Sequence, residues 1–161
     1  LPRIQEIFDT LNGSKYFSKL DFHGGYHQIP IDELDKPKTA FVTRNKFWEY
    51  NVMPQGIKNG PPTFQRIVNK LLGRLQWHCA LAYIDDIIIY SKSKSDYLHH
   101  LEQVLSLLHY ANFRLNAAKC EFLQKKIKFL GHVVNEDGIA PCPDKVRAIN
   151  EIPTPSSVKA A

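Results

Sequence analysis

Hydrophobic residues that recur every three or four positions predict helices in four parts of the chain. These parts are residues 4–11, the segment between a Pro/Gly-rich loop at 54–62 and Gly73, residues 93–112, and a short stretch near residues 144–149. Ser93 and Asp96 have the spacing of a capping box at the start of the third helix. Its apolar stripe is predicted to contain Leu98, Leu101, Leu105 and Leu108, with His99, His100 and His109 solvated on the polar side or edge.

Residues that favour strands are concentrated between these helices. The candidate strands are residues 16–22, 38–43 and 47–53, the two flanks of an acidic pair at 85–86, and three short strands between residues 113 and 134. A turn at residues 135–138 follows them. Because strands and helices are interleaved without strict alternation, the pattern predicts an α+β fold with an antiparallel sheet flanked by helices.

Asp85 and Asp86 interrupt an otherwise apolar run that extends over residues 79–90. Two carboxylates at the tip of a buried hairpin are costly unless their pKa values shift or a counter-ion binds them. Mg²⁺ is the natural counter-ion for hard oxygen ligands without a nearby Cys or His partner. The alternative is an acidic pair in an ordinary exposed turn, where Asp is common.

Asp21 ends the predicted strand at residues 16–22, immediately before a turn that contains Gly24 and Gly25. If that strand lies beside the acidic hairpin, Asp21, Asp85 and Asp86 converge on one spot. Three such carboxylates with two Mg²⁺ ions about 3.5–4 Å apart form a site for in-line phosphoryl transfer. Asp21 alone would equally fit an ordinary residue at a strand end.

Composition narrows the class of protein without fixing its function. The 161 residues suit one domain, 43% of them are hydrophobic, and no long uncharged apolar run could cross a bilayer. Three cysteines without a CxxC pair argue against a disulfide framework or zinc knuckle and favour a reducing, intracellular setting. The net charge of +5 permits a polyanionic partner. A start at Leu1 without methionine suggests a fragment of a longer polypeptide.

Several motifs, in chain order, resemble those of reverse transcriptases. Their sequences are closest to those of gypsy-type long-terminal-repeat retrotransposons. They are Leu20-Asp21-Phe22 with the following residues to Pro30, Lys38-Thr39-Ala40-Phe41, Val52-Met53-Pro54-Gln55-Gly56, Pro61-Pro62-Thr63-Phe64-Gln65, Tyr83-Ile84-Asp85-Asp86 and Phe129-Leu130-Gly131-His132. The resemblance covers essentially the whole chain. It implies a right-hand polymerase fold and an RNA-directed DNA polymerase that adds deoxynucleotides to a primer 3′ end.

The resemblance also implies roles for individual residues. Asp21, Asp85 and Asp86 would bind two Mg²⁺ ions, for which Mn²⁺ can substitute, with the carbonyl of Phe22 as an extra ligand. Tyr26 matches a steric gate that excludes a 2′-hydroxyl, and Gln55 and Gly56 match the loop that contacts the incoming nucleotide. Lys119 matches a lysine that protonates pyrophosphate. The primer strand would contact Tyr83, Phe129, Leu130 and Gly131.

The same resemblance implies an organisation and a set of partners. Residues 1–29 and 61–137 would form the palm, residues 30–60 part of the fingers, and residues 138–161 the start of the thumb. The partners would be an RNA or DNA template with its primer, deoxynucleoside triphosphates, and the protease, RNase H and integrase parts of a Pol polyprotein, with no membrane. The expected location is cytoplasmic virus-like particles. A fragment without the upstream fingers and the full thumb is expected to polymerise weakly.

Two other functions use similar residues. A decayed or domesticated copy would keep the fold and bind nucleic acid without catalysis, but intact Asp21, Asp85, Asp86, Tyr26 and Gln55 argue against decay. A two-metal nuclease also uses clustered acids. A nuclease needs neither a gate at Tyr26 nor a nucleotide loop at Gln55, so a polymerase is the preferred hypothesis.

Overall fold

The computed structural model describes residues 2–151, which contain four α-helices and nine β-strands. The final part of the predicted thumb, residues 152–161, lies outside the described residues. The helices are α1 (Ile4–Leu11), α2 (Gly60–Leu72), α3 (Lys94–Tyr110) and α4 (Pro143–Asn150). Among the described residues, no helix is long and apolar enough to cross a membrane.

The main sheet has four antiparallel strands in the order β4-β5-β1-β6. Their bounds are β1 (Tyr16–Asp21), β4 (Ala80–Tyr83), β5 (Asp86–Ser91) and β6 (Glu121–Gln124). The α+β fold with an antiparallel sheet flanked by helices is therefore confirmed. Strands β4 and β5 form the predicted hairpin around the acidic pair, and β1 lies on the other side of β5.

Both faces of the main sheet are covered, which explains why β5 has an almost uninterrupted apolar sequence. On one face, Leu20, Ile87 and Ile89 pack with residues of α2 and α3. On the other face, Phe17 and Ile88 pack with α1 and with strands β7 (Lys126–Phe129) and β8 (His132–Asn135). The catalytic candidates at the ends of β1 and β5 are thus supported by strands that are buried on both sides.

Two smaller sheets complete the fold. One pairs β2 (Phe41–Val42) with β3 (Phe47–Trp48), and the other contains β7 (Lys126–Phe129), β8 (His132–Asn135) and β9 (Gly138–Pro141) in that order. Of the three strands predicted between residues 113 and 134, the second corresponds to β6, and the third is divided into β7 and β8 by the turn at Leu130 and Gly131. The first is not a strand, and Leu115 forms only an isolated bridge with Phe22. The sequence pattern did not indicate β9, because a proline ends it and Gly138 begins it.

The predicted strands at 38–43 and 47–53 are too long. Residues Lys36–Thr39 form a 3₁₀ turn with Pro37 near its start, and only two residues on each side pair as strands. Proline has no N–H for a strand ladder, and the side chains of this hairpin are exposed, Phe47 by 82%. The predicted turn at residues 44–46 is confirmed, because Thr43 N–H donates to the Lys46 carbonyl.

The capping box of α3 is confirmed, since Ser93 Oγ accepts the Asp96 N–H at 3.1 Å. The apolar stripe is shifted from the prediction. Leu98 is 56% exposed, and Tyr97 is buried in its place because its hydroxyl bonds to Ser18 Oγ and accepts the Leu123 N–H. His100 is also not solvated as predicted: it is partly buried, and its Nδ1 lies 2.8 Å from Ser91 Oγ.

Candidate active site

The acidic pair lies at a tight turn between β4 and β5, where Tyr83 and Asp86 are directly opposite in the ladder. The two turn residues are Ile84 and Asp85. Ile84 has a φ of +53°, a left-handed conformation that is unfavourable for a β-branched side chain. Such a conformation persists only where the surrounding structure holds it.

The side chain of Gln65 holds this turn from α2. Its Oε1 accepts the Ile84 N–H at 2.7 Å, and its Nε2 donates to the Ala82 carbonyl at 2.8 Å. Nε2 also lies 2.7 Å from Asn69 Oδ1. Gln65 is only 3% exposed. Gln65 belongs to the motif at residues 61–65, but the sequence pattern gave it no role. The one indication of a role was the presence of a polar amide on the buried face of an amphipathic helix.

Asp21 and Asp86 are direct partners in the β1–β5 ladder. Facing residues on neighbouring antiparallel strands have Cβ atoms about 4.5–5.5 Å apart. The predicted convergence of Asp21 with the acidic hairpin is therefore confirmed. The side chain of Asp21 is 24% exposed, and Asp85 is more exposed than Asp86.

Partial burial and like charge both act on these carboxylates. Partial burial raises the pKa of Asp85, and the charge of Asp21 raises it further. Burial is also the main cause that raises the pKa of Asp86; Lys19 opposes this rise, while Asp21, Asp85 and Glu121 add to it. The three aspartates are therefore close enough to repel one another.

This donor set fits a hard divalent cation. Carboxylate oxygens are the preferred protein ligands of Mg²⁺, and a cation would relieve the repulsion among Asp21, Asp85 and Asp86. Within residues 2–151, no group of three His, Cys, Asp or Glu side chains has its atoms already gathered as metal ligands. The backbone places the three acids together, and cation binding would require their side chains to turn towards a common point.

Tyr26 lies beside the acids, in a 3₁₀ turn formed by Gly25–Gln28. Its ring packs edge-on against Phe64 of α2 at a centroid distance of 5.3 Å. Burial raises the pKa of the Tyr26 hydroxyl, and the charge of Asp85 raises it further. Phe22 is buried between Phe64 and Phe113, which fixes the backbone between Asp21 and the turn.

Lys119 and Cys120 approach Asp21 from the segment before β6. Lys119 Nζ lies 4.0 Å from Asp21 Oδ1, so the sequence-predicted lysine is beside the acids. Cys120 Sγ accepts the Asp21 N–H at 3.5 Å, and the Asn116 N–H donates to the Asp21 carbonyl at 2.9 Å. The contact from Cys120 was not predicted, since an unpaired cysteine carried no signal of its position.

Gln55 and Gly56 lie in a separate groove of about 640 Å³ between the 30–40 segment and the start of α2. Both are exposed, and Gly56 has a φ of +91°, which glycine accommodates without strain. Among the described residues, the lining of this groove includes Met53 and Thr63 but none of the three aspartates. The nucleotide-loop candidates Gln55 and Gly56 therefore line a groove at the N-terminal end of α2.

The candidates for primer contact lie on one side of the acidic hairpin. Tyr83 and Leu130 both border the core cluster that contains Phe129. Leu130 and Gly131 form the two-residue turn between β7 and β8, and both have positive φ values, as a twisted hairpin requires. The Phe129 side chain is only 1% exposed, whereas Tyr83, Leu130 and Gly131 are partly exposed and form the accessible part of this group.

Comparison with protein families gives a match for residues 1–134 to the model described as reverse transcriptase (RNA-dependent DNA polymerase). Among curated proteins, the chain is 45% identical over 160 residues to the retrovirus-related Pol polyprotein from transposon 297 of Drosophila melanogaster. It is 38% identical over 159 residues to the transposon Tf2-3 polyprotein of Schizosaccharomyces pombe. These alignments cover 99% of this chain but only 15% and 12% of the two relatives.

Solved structures with a similar fold include a foamy viral protease-reverse transcriptase in complex with double-stranded DNA. The TM-score is 0.90 at 27% sequence identity, and the alignment covers 99% of this chain and 28% of the other. A foamy viral protease-reverse transcriptase in complex with an RNA/DNA hybrid gives a TM-score of 0.87 at 27% identity, covering 98% and 21% of the two chains. The ordered motifs, the acidic turn and these likenesses agree, and the chain belongs to the reverse transcriptase family.

Proposed function

We propose that this chain is the catalytic core of an RNA-directed DNA polymerase, which adds deoxynucleotides to a primer 3′ end by two-metal phosphoryl transfer. The observation that carries the proposal is the pairing of Asp21 with Asp86 next to Asp85. Sheet strands buried on both faces support this acidic cluster. Catalysis of this kind depends mainly on positioning and charge stabilisation, for which a rigid scaffold is suited.

Asp21, Asp85 and Asp86 are the residues that would hold two Mg²⁺ ions, or Mn²⁺ in their place, with the Phe22 carbonyl as a further ligand. When bound, such ions lower the pKa of an attacking hydroxyl and neutralise charge on a leaving pyrophosphate. The side chain of Lys119 lies 4.0 Å from Asp21. This contact with the acidic cluster supports the proposal that the Lys119 ammonium group donates a proton to the departing pyrophosphate oxygen.

The pocket for the incoming deoxynucleoside triphosphate is proposed to form around Tyr26. Phe64 supports the Tyr26 ring from below, so the ring cannot easily move away from a sugar placed against it. A 2′-hydroxyl would then collide with the ring, which selects deoxyribose by exclusion. Gln55 and Gly56 would contact the nucleotide from the adjoining groove, where Gly56 lets backbone approach closely.

The template and primer are proposed to lie across the acidic turn. Tyr83, Leu130 and Gly131, positioned by buried Phe129, would contact the primer strand near its 3′ end. The similar solved structures are complexes with double-stranded DNA and with an RNA/DNA hybrid. By that likeness, the proposed partner of this chain is a primer annealed to an RNA or DNA template.

The chain is proposed to be one part of a retrotransposon Pol polyprotein, because it spans about 15% of the relative from transposon 297. Residues 1–29 and 61–137 would be the palm, 30–60 part of the fingers, and 138–161 the start of the thumb. The gypsy-type class, protease, RNase H and integrase partners, and a location in cytoplasmic virus-like particles follow from the same proposal. On this basis, the 161-residue chain alone is expected to extend primers weakly.

Primer extension by the parent enzyme tests the proposed function. With Mg²⁺, deoxynucleotides and a primed RNA template, the wild type should extend the primer, and Asp85→Asn should reduce extension by orders of magnitude while template binding is retained. Asp137→Asn, in the distant exposed turn before β9, is the matched control. Extension by Asp85→Asn at the wild-type rate would contradict the proposal.

A further inference from the structure

The side chain of Gln28 uses its whole amide group to join two segments that are 86 residues apart. Its Oε1 accepts the Arg114 N–H at 2.7 Å, and its Nε2 donates to the Arg114 carbonyl at 3.0 Å. Nε2 also donates to the His23 carbonyl at 2.9 Å. One side chain therefore bonds to both backbone polar groups of Arg114 and closes the loop that begins at His23.

The two segments joined by Gln28 carry different parts of the proposed site. Gln28 is the last residue of the 3₁₀ turn that contains Tyr26. Beyond Arg114, the Asn116 N–H donates to the Asp21 carbonyl, and the chain then reaches Lys119, whose Nζ lies 4.0 Å from Asp21 Oδ1. Gln28 thus connects the turn that carries Tyr26, the candidate for sugar selection, with the segment that carries Lys119.

Backbone hydrogen bonds hold the chain before and after this turn. Before it, the His23 N–H donates to the Arg114 carbonyl at 3.0 Å, and Phe22 pairs with Leu115 as an isolated bridge. After it, the Met53 N–H donates to the Ile29 carbonyl at 2.8 Å, which joins that end to residues 51–53 rather than to the Arg114 segment. The Gln28 side chain ties the C-terminal end of the turn to the Arg114 segment.

We infer that Gln28 is a positioning residue for sugar selection. By bonding to the Arg114 backbone, it holds Tyr26 at a fixed position relative to Asp21 and to the segment that carries Lys119. The inference rests on the proposed polymerase function. A tyrosine ring excludes a 2′-hydroxyl only if it cannot retreat. Phe64 packs against the ring and against Gly25 at the start of the turn, and a second restraint ties the end of the turn to the Arg114 segment. Gln28 supplies that second restraint.

The test replaces Gln28 with residues of similar size. Gln28→Met removes all three hydrogen bonds while keeping the length of the side chain, and Gln28→Glu keeps the acceptor for Arg114 but loses both donated bonds. Gln124→Met is the matched control, because within residues 2–151 the Gln124 side-chain amide bonds only to the Phe122 carbonyl of its own strand. In the parent enzyme, kcat and KM are measured for one deoxynucleotide and for its ribonucleotide.

For Gln28→Met, we expect the preference for deoxynucleotide, as a ratio of kcat/KM values, to fall by about fivefold or more, the effect of losing one or two net hydrogen bonds. The fall should arise mainly from a lower KM for the ribonucleotide. Gln28→Glu should give a smaller fall, and Gln124→Met none. Amide hydrogen exchange in the 161-residue chain should accelerate at Arg114 in Gln28→Met but not in Gln28→Glu.

A structural role alone would lower both activities together and leave the ratio unchanged. An unchanged ratio in Gln28→Met, with accelerated exchange at Arg114, would therefore overturn the inference while the polymerase function stands. If Gln28→Met fails to fold, an unchanged ratio in Gln28→Glu has the same consequence. Failure of the wild-type parent enzyme to extend any primer would overturn the proposed function, and this inference with it.

Discussion

The Ile84 N–H donates to Gln65 Oε1 at 2.7 Å, and this bond joins the strained residue of the acidic turn to a buried side chain of α2. Nε2 of the same amide donates a hydrogen bond to the Ala82 carbonyl. The turn that presents Asp85 is therefore held from beneath at two points. The conformation of the turn therefore depends on Gln65, which is 19 positions from Ile84 in the sequence. Gln65 bonds to the backbone around the turn and not to the carboxylates that the turn presents.

Replacement of Gln65 should disturb the acidic turn more than it disturbs the fold. Gln65→Leu leaves a buried N–H and a buried carbonyl unpaired, which should lower the free energy of unfolding by about 2 kcal/mol. Primer extension by the parent enzyme should fall by at least about tenfold because Ile84 and Asp85 lose their support. Thermal unfolding and extension rates measure the two effects, and Gln124→Leu on the edge strand β6 is the control. Full activity in Gln65→Leu would show that the turn holds itself.

The pH dependence of stability should differ between the wild type and Asp86→Asn. The pKa of Asp86 is raised in the folded chain, mainly by burial, so the folded state binds this proton more readily than the unfolded state. The Asp86 carboxyl therefore destabilises the fold increasingly as the pH rises from the unfolded pKa through the raised folded pKa. Asp86→Asn should gain stability relative to the wild type across that window and keep the gain at neutral pH.

Denaturant unfolding at a series of pH values without divalent ions measures this difference. Added Mg²⁺ should stabilise the wild type more than Asp86→Asn, because a cation offsets the repulsion among the acids. Asp137→Asn at the exposed turn should follow the wild type throughout. A constant difference between Asp86→Asn and the wild type at all pH values would contradict the repulsion inferred at the site.

Tyr26 should control the choice of sugar. Tyr26→Ala removes the ring that Phe64 supports, so the parent enzyme should accept ribonucleotides at least about tenfold better relative to deoxynucleotides. Tyr26→Phe keeps the ring and should retain the preference. Incorporation of single nucleotides of each kind measures the ratio. Unchanged discrimination in Tyr26→Ala would remove Tyr26 from this role.

Lys119 should act on the chemical step rather than on nucleotide binding. Lys119→Met removes the ammonium group that lies 4.0 Å from Asp21, and we expect kcat to fall by about tenfold to a hundredfold with little change in KM. Lys126→Met, an exposed lysine on β7, is the control. An equal fall in kcat in both variants, or a rise in KM without a fall in kcat in Lys119→Met, would argue against proton donation.

Much of the scaffold could be predicted because its signals are local. Helix α1 shows a clear apolar periodicity, Ser93 caps α3 as expected, and the apolar run around Asp85 folds as the predicted hairpin. The strands at 38–43 and 47–53 were overestimated because aromatic and β-branched residues favour strands even where, as at Phe47, they remain exposed. The burial of Tyr97 instead of Leu98 depends on the partners of its hydroxyl, which are Ser18 Oγ on β1 and the Leu123 N–H on β6.

The sequence predicted where the acidic residues of the site lie, but not which residues support them. The position of Asp21 at a strand end, together with the motif resemblance, placed it correctly beside the later acidic pair. The bonds from Gln65 to Ala82, from Gln28 to Arg114 and from Cys120 to Asp21 join residues that are 17, 86 and 99 positions apart in the sequence. Such contacts depend on the assembled fold, so no periodicity or spacing in the sequence indicates them.

Binding of Mn²⁺ to the 161-residue chain tests the central claim most directly, because it requires no catalysis. Titration followed by paramagnetic broadening of backbone amide signals should broaden residues 21–22 and 84–86 first in the wild type. The double variant Asp21→Asn with Asp86→Asn should lose this broadening, and Asp137→Asn should keep it. Equal broadening at the acidic turn in the wild type and the double variant, or broadening only elsewhere, would contradict a divalent-metal site formed by Asp21, Asp85 and Asp86.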